Sequence, residues 1–154
     1  FTCETYSGER YENVAFRVPI SDIVGLRAAV DNVLADTEIY ARHAKIAAAT
    51  REALTKAGLH LYLQSGYSNT VTVIEVPEGL TDKAILSTMK DKYNVMISGC
   101  FDVLSGKVIR IGHMGENANE ADLCMTLAAM DKTFAELGYP LQCSMKEVFL
   151  ACLA

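Results

Sequence analysis

The chain has 154 residues, of which 51% are hydrophobic and 21% charged, a balance that suits one packed domain and excludes a disordered chain. Its 19 acidic and 14 basic residues give a net charge of −5, which argues against a nucleic-acid-binding protein with a basic face. No apolar run reaches the roughly 18 residues of a membrane-spanning helix.

The first third of the chain predicts a lead-in followed by one long helix. The lead-in covers residues 1–20, of which residues 1–17 are polar and aromatic, with strand character around Val14. Apolar residues then recur at helical spacing until Gly58, so we expect a connecting helix over residues 21–57, with a break or bend near Asp36 and Thr37 as the alternative. A helix of that length is typical of a connection between two bodies, and its first half would then lie on a neighbouring domain.

The remainder predicts a small sheet with helices. Strand-like segments, β-branched or alternating, occupy residues 59–63, 70–76, 95–97 and 107–112. Helices are expected from Thr81 or Asp82, from Asn119 or Glu120, and from Ser144 to Leu153.

This order of elements predicts one α+β domain over residues 1–154. It would have a mostly antiparallel sheet of about four strands, covered by helices on one face and preceded by the long helix. Residues 58–138 would form the sheet-and-helix part and residues 139–154 a C-terminal extension.

Neither the cysteines nor the histidines form a metal motif. The five cysteines are odd in number and lack C-x-x-C spacing, so we expect no disulfide framework and no zinc site. They fit a reducing intracellular compartment. His43, His60 and His113 are widely spaced. His43 and His113 are expected to be structural rather than catalytic, and His60 is expected on the wetter face of a strand.

Arg110 is the strongest candidate for chemistry. It ends an apolar strand and is followed closely by Gly112 and Gly115, which let the backbone turn and another molecule approach. An arginine among such neighbours is costly to bury unless it meets an anion. One interpretation is therefore a bidentate carboxylate site. The other is a strand-end arginine that reaches solvent or pairs with a structural acid.

The segment Lys107–Gly115 reads K-V-I-R-I-G-H-M-G and resembles the signature near the end of class V aminotransferases of the alanine–glyoxylate and serine–pyruvate kind. Four further segments resemble that family in order and spacing, and the resemblance covers about residues 18–138. They are Arg42-His43, Gly58-Leu59, Thr70–Thr72 with Pro77–Gly79, and Asn119–Asp122.

The resemblance implies a C-terminal small domain of a pyridoxal-phosphate (PLP) enzyme. The full enzyme, expected to be a cytoplasmic homodimer, would move an amino group from alanine or serine to a 2-oxo acid such as glyoxylate or pyruvate. Arg110 would bind the substrate carboxylate, with Gly112 and His113 beside the site. The cofactor lysine would belong to an N-terminal large domain.

No lysine of this chain has the sequence context of the family's cofactor lysine, so we expect no cofactor-binding residue here and no activity from this polypeptide alone. The chain also starts with Phe1 instead of Met, and we expect a piece of a longer enzyme. The alternative is a stand-alone regulatory α+β module that binds amino acids through Arg110 without catalysis.

Overall fold

The computed structural model describes residues 19–154, so the expected strand around Val14 lies outside the described residues. The chain divides into two units, Phe1–Thr37 and Glu38–Ala154. In the described part of the first unit, helix α1 spans Ile20–Ala35 and buries none of its residues. Within residues 19–154 no helix is long and apolar enough to cross a bilayer.

The structure has two helices where the sequence predicted one over residues 21–57. Helix α2 spans Ile39–Lys56, and residues 36–38 between the helices are not helical. The backbone leaves the helical region at Asp36, which has φ −88° and ψ 89°. The break considered near Asp36 and Thr37 is therefore present, and α1 and α2 are separate elements.

Helix α2 ends at a glycine that no other residue could replace without strain. Gly58 has φ +90°, a left-handed conformation that favours glycine. Leu59 N–H then donates to Leu54 C=O at 3.0 Å, a hydrogen bond typical of this kind of helix end. A Cβ on Gly58 would lie 2.9 Å from Gln142 Nε2, so a larger residue would also have to displace the Gln142 side chain.

The sheet has three antiparallel strands in the order β1-β3-β2. Strand β1 spans Val71–Glu75, β2 spans Ser98–Gly99, and β3 spans Val108–Gly112 between them. The α+β class and the antiparallel sheet are confirmed.

Two predicted strands differ from the structure. The segment 59–63 forms only an isolated bridge, Leu61 to Ile74, so the sheet has three strands instead of about four. The strand expected at 95–97 begins later, at Ser98. The reason is that Asn94 ends the preceding helix in a left-handed conformation, with φ 53°, and Val95 N–H bonds back to Met89 C=O at 3.1 Å.

Three further helices have caps that the sequence predicted. Helix α3 spans Asp82–Tyr93, α4 spans Glu120–Glu136, and α5 spans Met145–Leu153. Each is preceded by a residue whose side-chain oxygen accepts a backbone N–H of the first turn. These residues are Thr81, Asn119 and Ser144.

Helix α5 has a second cap from a neighbouring helix. Asp131 of α4 accepts Met145 N–H at 2.9 Å and the Ser144 hydroxyl at 2.7 Å. A carboxylate at a helix N-terminus is favoured by the helix dipole. Asp131 therefore fixes the C-terminal helix against α4.

The core of residues 38–154 lies between one face of the sheet and helices α2–α5. The sheet contributes Ile74, Ile109 and Ile111 to it. The helices contribute fully buried large side chains, among them Leu54, Ile85, Met89, Leu127, Met130, Phe134, Met145 and Phe149. The helices therefore cover one face of the sheet, as predicted.

Two buried threonines offer a matched pair of stability measurements. Thr133 Oγ1 has no hydrogen-bond partner within the described residues, whereas Thr50 Oγ1 donates to Ile46 C=O at 2.8 Å, and both residues are 0% exposed. Thr133→Val should leave the free energy of unfolding unchanged or raise it by up to about 1 kcal/mol, because an unsatisfied hydroxyl is removed. Thr50→Val should lower it by about 1 kcal/mol. Denaturant unfolding measures both, and an equal loss in the two variants would contradict the prediction.

Candidate functional site

Arg110 lies in the middle strand of the sheet, on the face opposite the core. It is paired with Val73 on β1 and with Ser98 on β2. Successive residues of a strand point to opposite faces, so Ile109 and Ile111 enter the core while Arg110 points away from it. We call the face that carries Val73, Arg110 and Gly112 the outer face.

Two contacts hold the guanidinium of Arg110. Its Nε donates to Gly99 C=O at 2.8 Å, and its Cζ lies 5.7 Å from the centre of the Phe101 ring. Within residues 19–154 it forms no salt bridge, and its two terminal Nη groups have no hydrogen-bond partner. Arg110 is half-buried, and its unpartnered Nη pair is a positive charge that can bind a planar anion in bidentate fashion.

Gly112 leaves room beside this charge. It follows Arg110 by two residues on the outer face and is exposed. A Cβ added to it would meet no atom within 4 Å, and its φ is not in the left-handed region. Neither packing nor backbone strain within the described residues therefore calls for glycine here.

His113 faces the other way. Its ring is fully buried, with Nε2 2.8 Å from Thr72 Oγ1 and Nδ1 3.2 Å from Asn69 C=O. Because a carbonyl can only accept, Nδ1 carries the proton and Nε2 accepts the Thr72 hydroxyl. Thr72 is paired with the core residue Ile111, so the structure does not bring this imidazole together with Arg110.

His43 joins helix α2 to the turn that follows β3. Its Nδ1 donates to Ile39 C=O at 2.7 Å, and its Nε2 accepts Gly115 N–H at 3.1 Å. Gly115 has φ 59°, so the turn depends on glycine at this point. His60, by contrast, is exposed.

The described residues do not fit a covalently bound PLP. A lysine that forms a Schiff base is usually activated by desolvation or by a neighbouring charge in a pocket. All eight lysines of the chain lie in the described part, and all are exposed on its surface.

Residues 19–154 contain no group of three or more His, Cys, Asp or Glu side chains that could hold a metal ion.

Sequence reasoning did not find Gly99 and Phe101 as partners of Arg110. Their segment reads S-G-C-F-D, without a pattern that marks a site. Their contact depends on how β2 and β3 are paired, which brings Gly99 opposite Ile109. The contact between His43 and Gly115 was missed for a similar reason, since 72 residues separate the two in the chain.

Burial of His113 predicts a pH dependence of stability. Burial lowers the pKa of His113 below its usual value, although hydrogen bonds to backbone groups offset part of this effect. As the pH falls below about 6.5, the unfolded chain takes up this proton before the folded chain does. The contribution of neutral His113 to the free energy of unfolding is therefore complete above that pH. It is lost as the pH falls toward the pKa of His113 in the folded chain.

His113→Gln should flatten this slope, which is at most about 1.4 kcal/mol per pH unit for one proton. Urea unfolding at several pH values between about 7 and 5 measures the slope in both proteins. This range spans the ordinary histidine pKa of about 6.5. Equal slopes in the wild type and in His113→Gln would contradict the prediction.

Comparisons with known proteins place this arrangement in a family. No protein-family model matches the chain. An uncharacterized aminotransferase of Methanocaldococcus jannaschii is 37% identical over 108 residues, which are 70% of this chain and 28% of that protein. The serine–glyoxylate aminotransferase of Arabidopsis thaliana is 37% identical over 122 residues, 77% of this chain and 30% of that protein.

Among solved structures, the pyridoxamine–pyruvate aminotransferase of Mesorhizobium loti superposes with a TM-score of 0.84 at 31% identity, covering 92% of this chain and 38% of that one. The chain thus spans 28% and 30% of the length of the two curated relatives described above. The sequence matches and the superposition agree with the R-I-G-H-M-G segment, and the chain belongs to the class V aminotransferases.

Proposed function

We propose that this chain is the C-terminal small domain of a PLP-dependent transaminase and that Arg110 binds the carboxylate of its substrate. The full enzyme would transfer an amino group from alanine or serine to glyoxylate or pyruvate. One observation carries the proposal. The Nη pair of Arg110 lies on the outer face with no partner among residues 19–154.

The geometry of Arg110 suits a carboxylate. Its Nε is already engaged by Gly99 C=O, which leaves the two Nη groups for the two oxygens of an acid. A bidentate contact also fixes the orientation of the bound acid. A transaminase needs a fixed orientation because the reaction takes place at the substrate's Cα. The electron sink for the chemistry at that carbon would come from pyridoxal phosphate held elsewhere in the enzyme.

Helix α1 supports the presence of a further domain. Four of its large apolar side chains, at helical spacing, form one stripe and are between 46% and 65% exposed. The stripe consists of Ile23, Leu26, Val30 and Val33. An exposed stripe of this kind marks an interaction surface. We propose that a cofactor-carrying large domain covers it, in an enzyme that is homodimeric and cytoplasmic.

The alternative, a stand-alone module that binds amino acids, is favoured by a different observation. Residues 38–154 form a compact unit with its own core. The exposed stripe of α1 favours the transaminase instead, because an autonomous module has no need of it.

Titration with small acids tests the role of Arg110. Two charge-assisted hydrogen bonds contribute roughly 3–6 kcal/mol, so pyruvate and glyoxylate should bind the chain with a dissociation constant on the order of millimolar. Arg110→Ala and Arg110→Lys should both abolish this binding, because an ammonium cannot make the bidentate contact. NMR titration of the isotope-labelled chain measures the affinity.

Arg51 provides the matched control. It also stacks on an aromatic ring, with its Cζ 4.7 Å from the centre of Tyr67, and it also donates to a backbone carbonyl, that of Ser68 at 3.3 Å. Arg51→Ala should keep the affinity for pyruvate, and methyl pyruvate should not bind either protein. Binding that survives in Arg110→Ala, or that is lost equally in Arg51→Ala, would overturn the proposed role.

The stripe of α1 predicts self-association of the isolated chain. Leu26→Lys with Val33→Lys should weaken association in sedimentation experiments and change the free energy of unfolding by less than about 0.5 kcal/mol, because both side chains are exposed. Ser21→Lys with Asn32→Lys is the control, since helical spacing puts these residues on the opposite side. A loss of stability well above that value in the first variant would show that the stripe packs within the chain.

A further inference from the structure

The segment that joins β2 to β3 carries an aromatic ring that the core does not use. Phe101 is 79% exposed, although an apolar ring gains most when it is buried. Its ring lies against the guanidinium of Arg110, with the Cζ atom 5.7 Å from the ring centre. The contact is with the one side chain to which we assign substrate binding.

The backbone of this segment is organised by short-range hydrogen bonds. Phe101 C=O accepts Leu104 N–H at 3.3 Å, and Asp102 C=O accepts Ser105 N–H at 3.0 Å. Asp102 itself has φ 53°, an uncommon conformation for a residue other than glycine. The turn that places the ring is thus a defined structure in which Asp102 adopts the left-handed conformation.

We propose that Phe101 is a positioning residue for Arg110. Its ring supports one face of the guanidinium, while the carbonyl of Gly99 holds Nε from the side. Together the two contacts restrict the rotation of the side chain and keep the Nη pair directed away from the sheet. The nature of the ligand, a carboxylate, rests on the proposed function, whereas the restraint on Arg110 does not.

The second arginine–aromatic pair shows what distinguishes this one. Arg51 stacks on Tyr67, but it uses a terminal Nη1 to bond Ser68 C=O at 3.3 Å. Its bidentate end is therefore partly occupied by the protein. Arg110 uses Nε instead and keeps both terminal nitrogens available. An aromatic contact thus accompanies an arginine whose terminal nitrogens are partly used in one place and an arginine whose terminal nitrogens are available in the other.

NMR spectroscopy of the labelled 154-residue chain tests the proposal. The measured quantities are the shift and heteronuclear NOE of the Arg110 Nε–H group and the affinity for pyruvate. Phe101→Leu should lower the NOE and weaken pyruvate binding roughly two- to fivefold, the loss expected for an exposed cation–π contact. Phe101→Tyr should restore both, because it keeps the ring. Tyr67→Leu, the control, should alter the Arg51 signals and leave those of Arg110 and the affinity unchanged.

The outcomes separate this inference from the proposed function. If Phe101→Leu leaves the Nε–H signals of Arg110 unchanged, or changes them without weakening measurable pyruvate binding, the ring is incidental and the positioning role is overturned. If pyruvate does not bind the wild-type chain at all, the proposed function fails, and the NOE of the Nε–H group alone decides the positioning role. Thermal unfolding of each variant shows whether a change reflects loss of the fold.

Discussion

A guanidinium in the middle strand of a sheet needs water or an anion, because its charge cannot be buried without compensation. Arg110 meets this constraint by standing on the face of the sheet opposite the core of residues 38–154, where it is half-buried. Both neighbouring strands run beside it, so the sheet fixes its backbone from two sides. The side chain is then restrained by Gly99 and Phe101 and needs no carboxylate from the described residues.

Helices α2–α5 pack on one side of the sheet, and this distribution is related to the cost of burying the Arg110 charge on the other side. All large side chains of the core cluster lie where helices α2–α5 meet the inner face of the sheet. A helix on the outer face would have to bury Arg110 together with Val73, which is half-buried as it stands. The part of the outer face around Arg110 and Gly112 is therefore consistent with a surface that binds an acid or meets another domain, although Val108 on the same face is buried. The apolar stripe of α1 is a second candidate for contact with another domain.

Structural features that depend on residues close together in the chain could be predicted from the sequence. Features that depend on the pairing of distant segments could not. Helix starts at Thr81, Asn119 and Ser144 were readable because a cap acts within three residues. The start of β2 could not be predicted, because it depends on Asn94, which ends helix α3 in a left-handed conformation. Arg110 was readable as a charge in an apolar strand. The contact of Phe101 with Arg110 could not be predicted, because the sequence around an aromatic residue in a polar segment does not indicate which residue it will contact.

The turn after β3 shows how a site can be fixed by residues that do not face it. His43 anchors the turn at Gly115 from helix α2, and His113 anchors its start through Asn69 and Thr72. His43 donates from Nδ1 to Ile39 C=O and accepts Gly115 N–H at Nε2, while His113 donates from Nδ1 to Asn69 C=O and shares a hydrogen bond between Nε2 and the Thr72 hydroxyl. The backbone that follows Arg110 is therefore held by the side chains of two histidines, one from helix α2 and one from the turn itself.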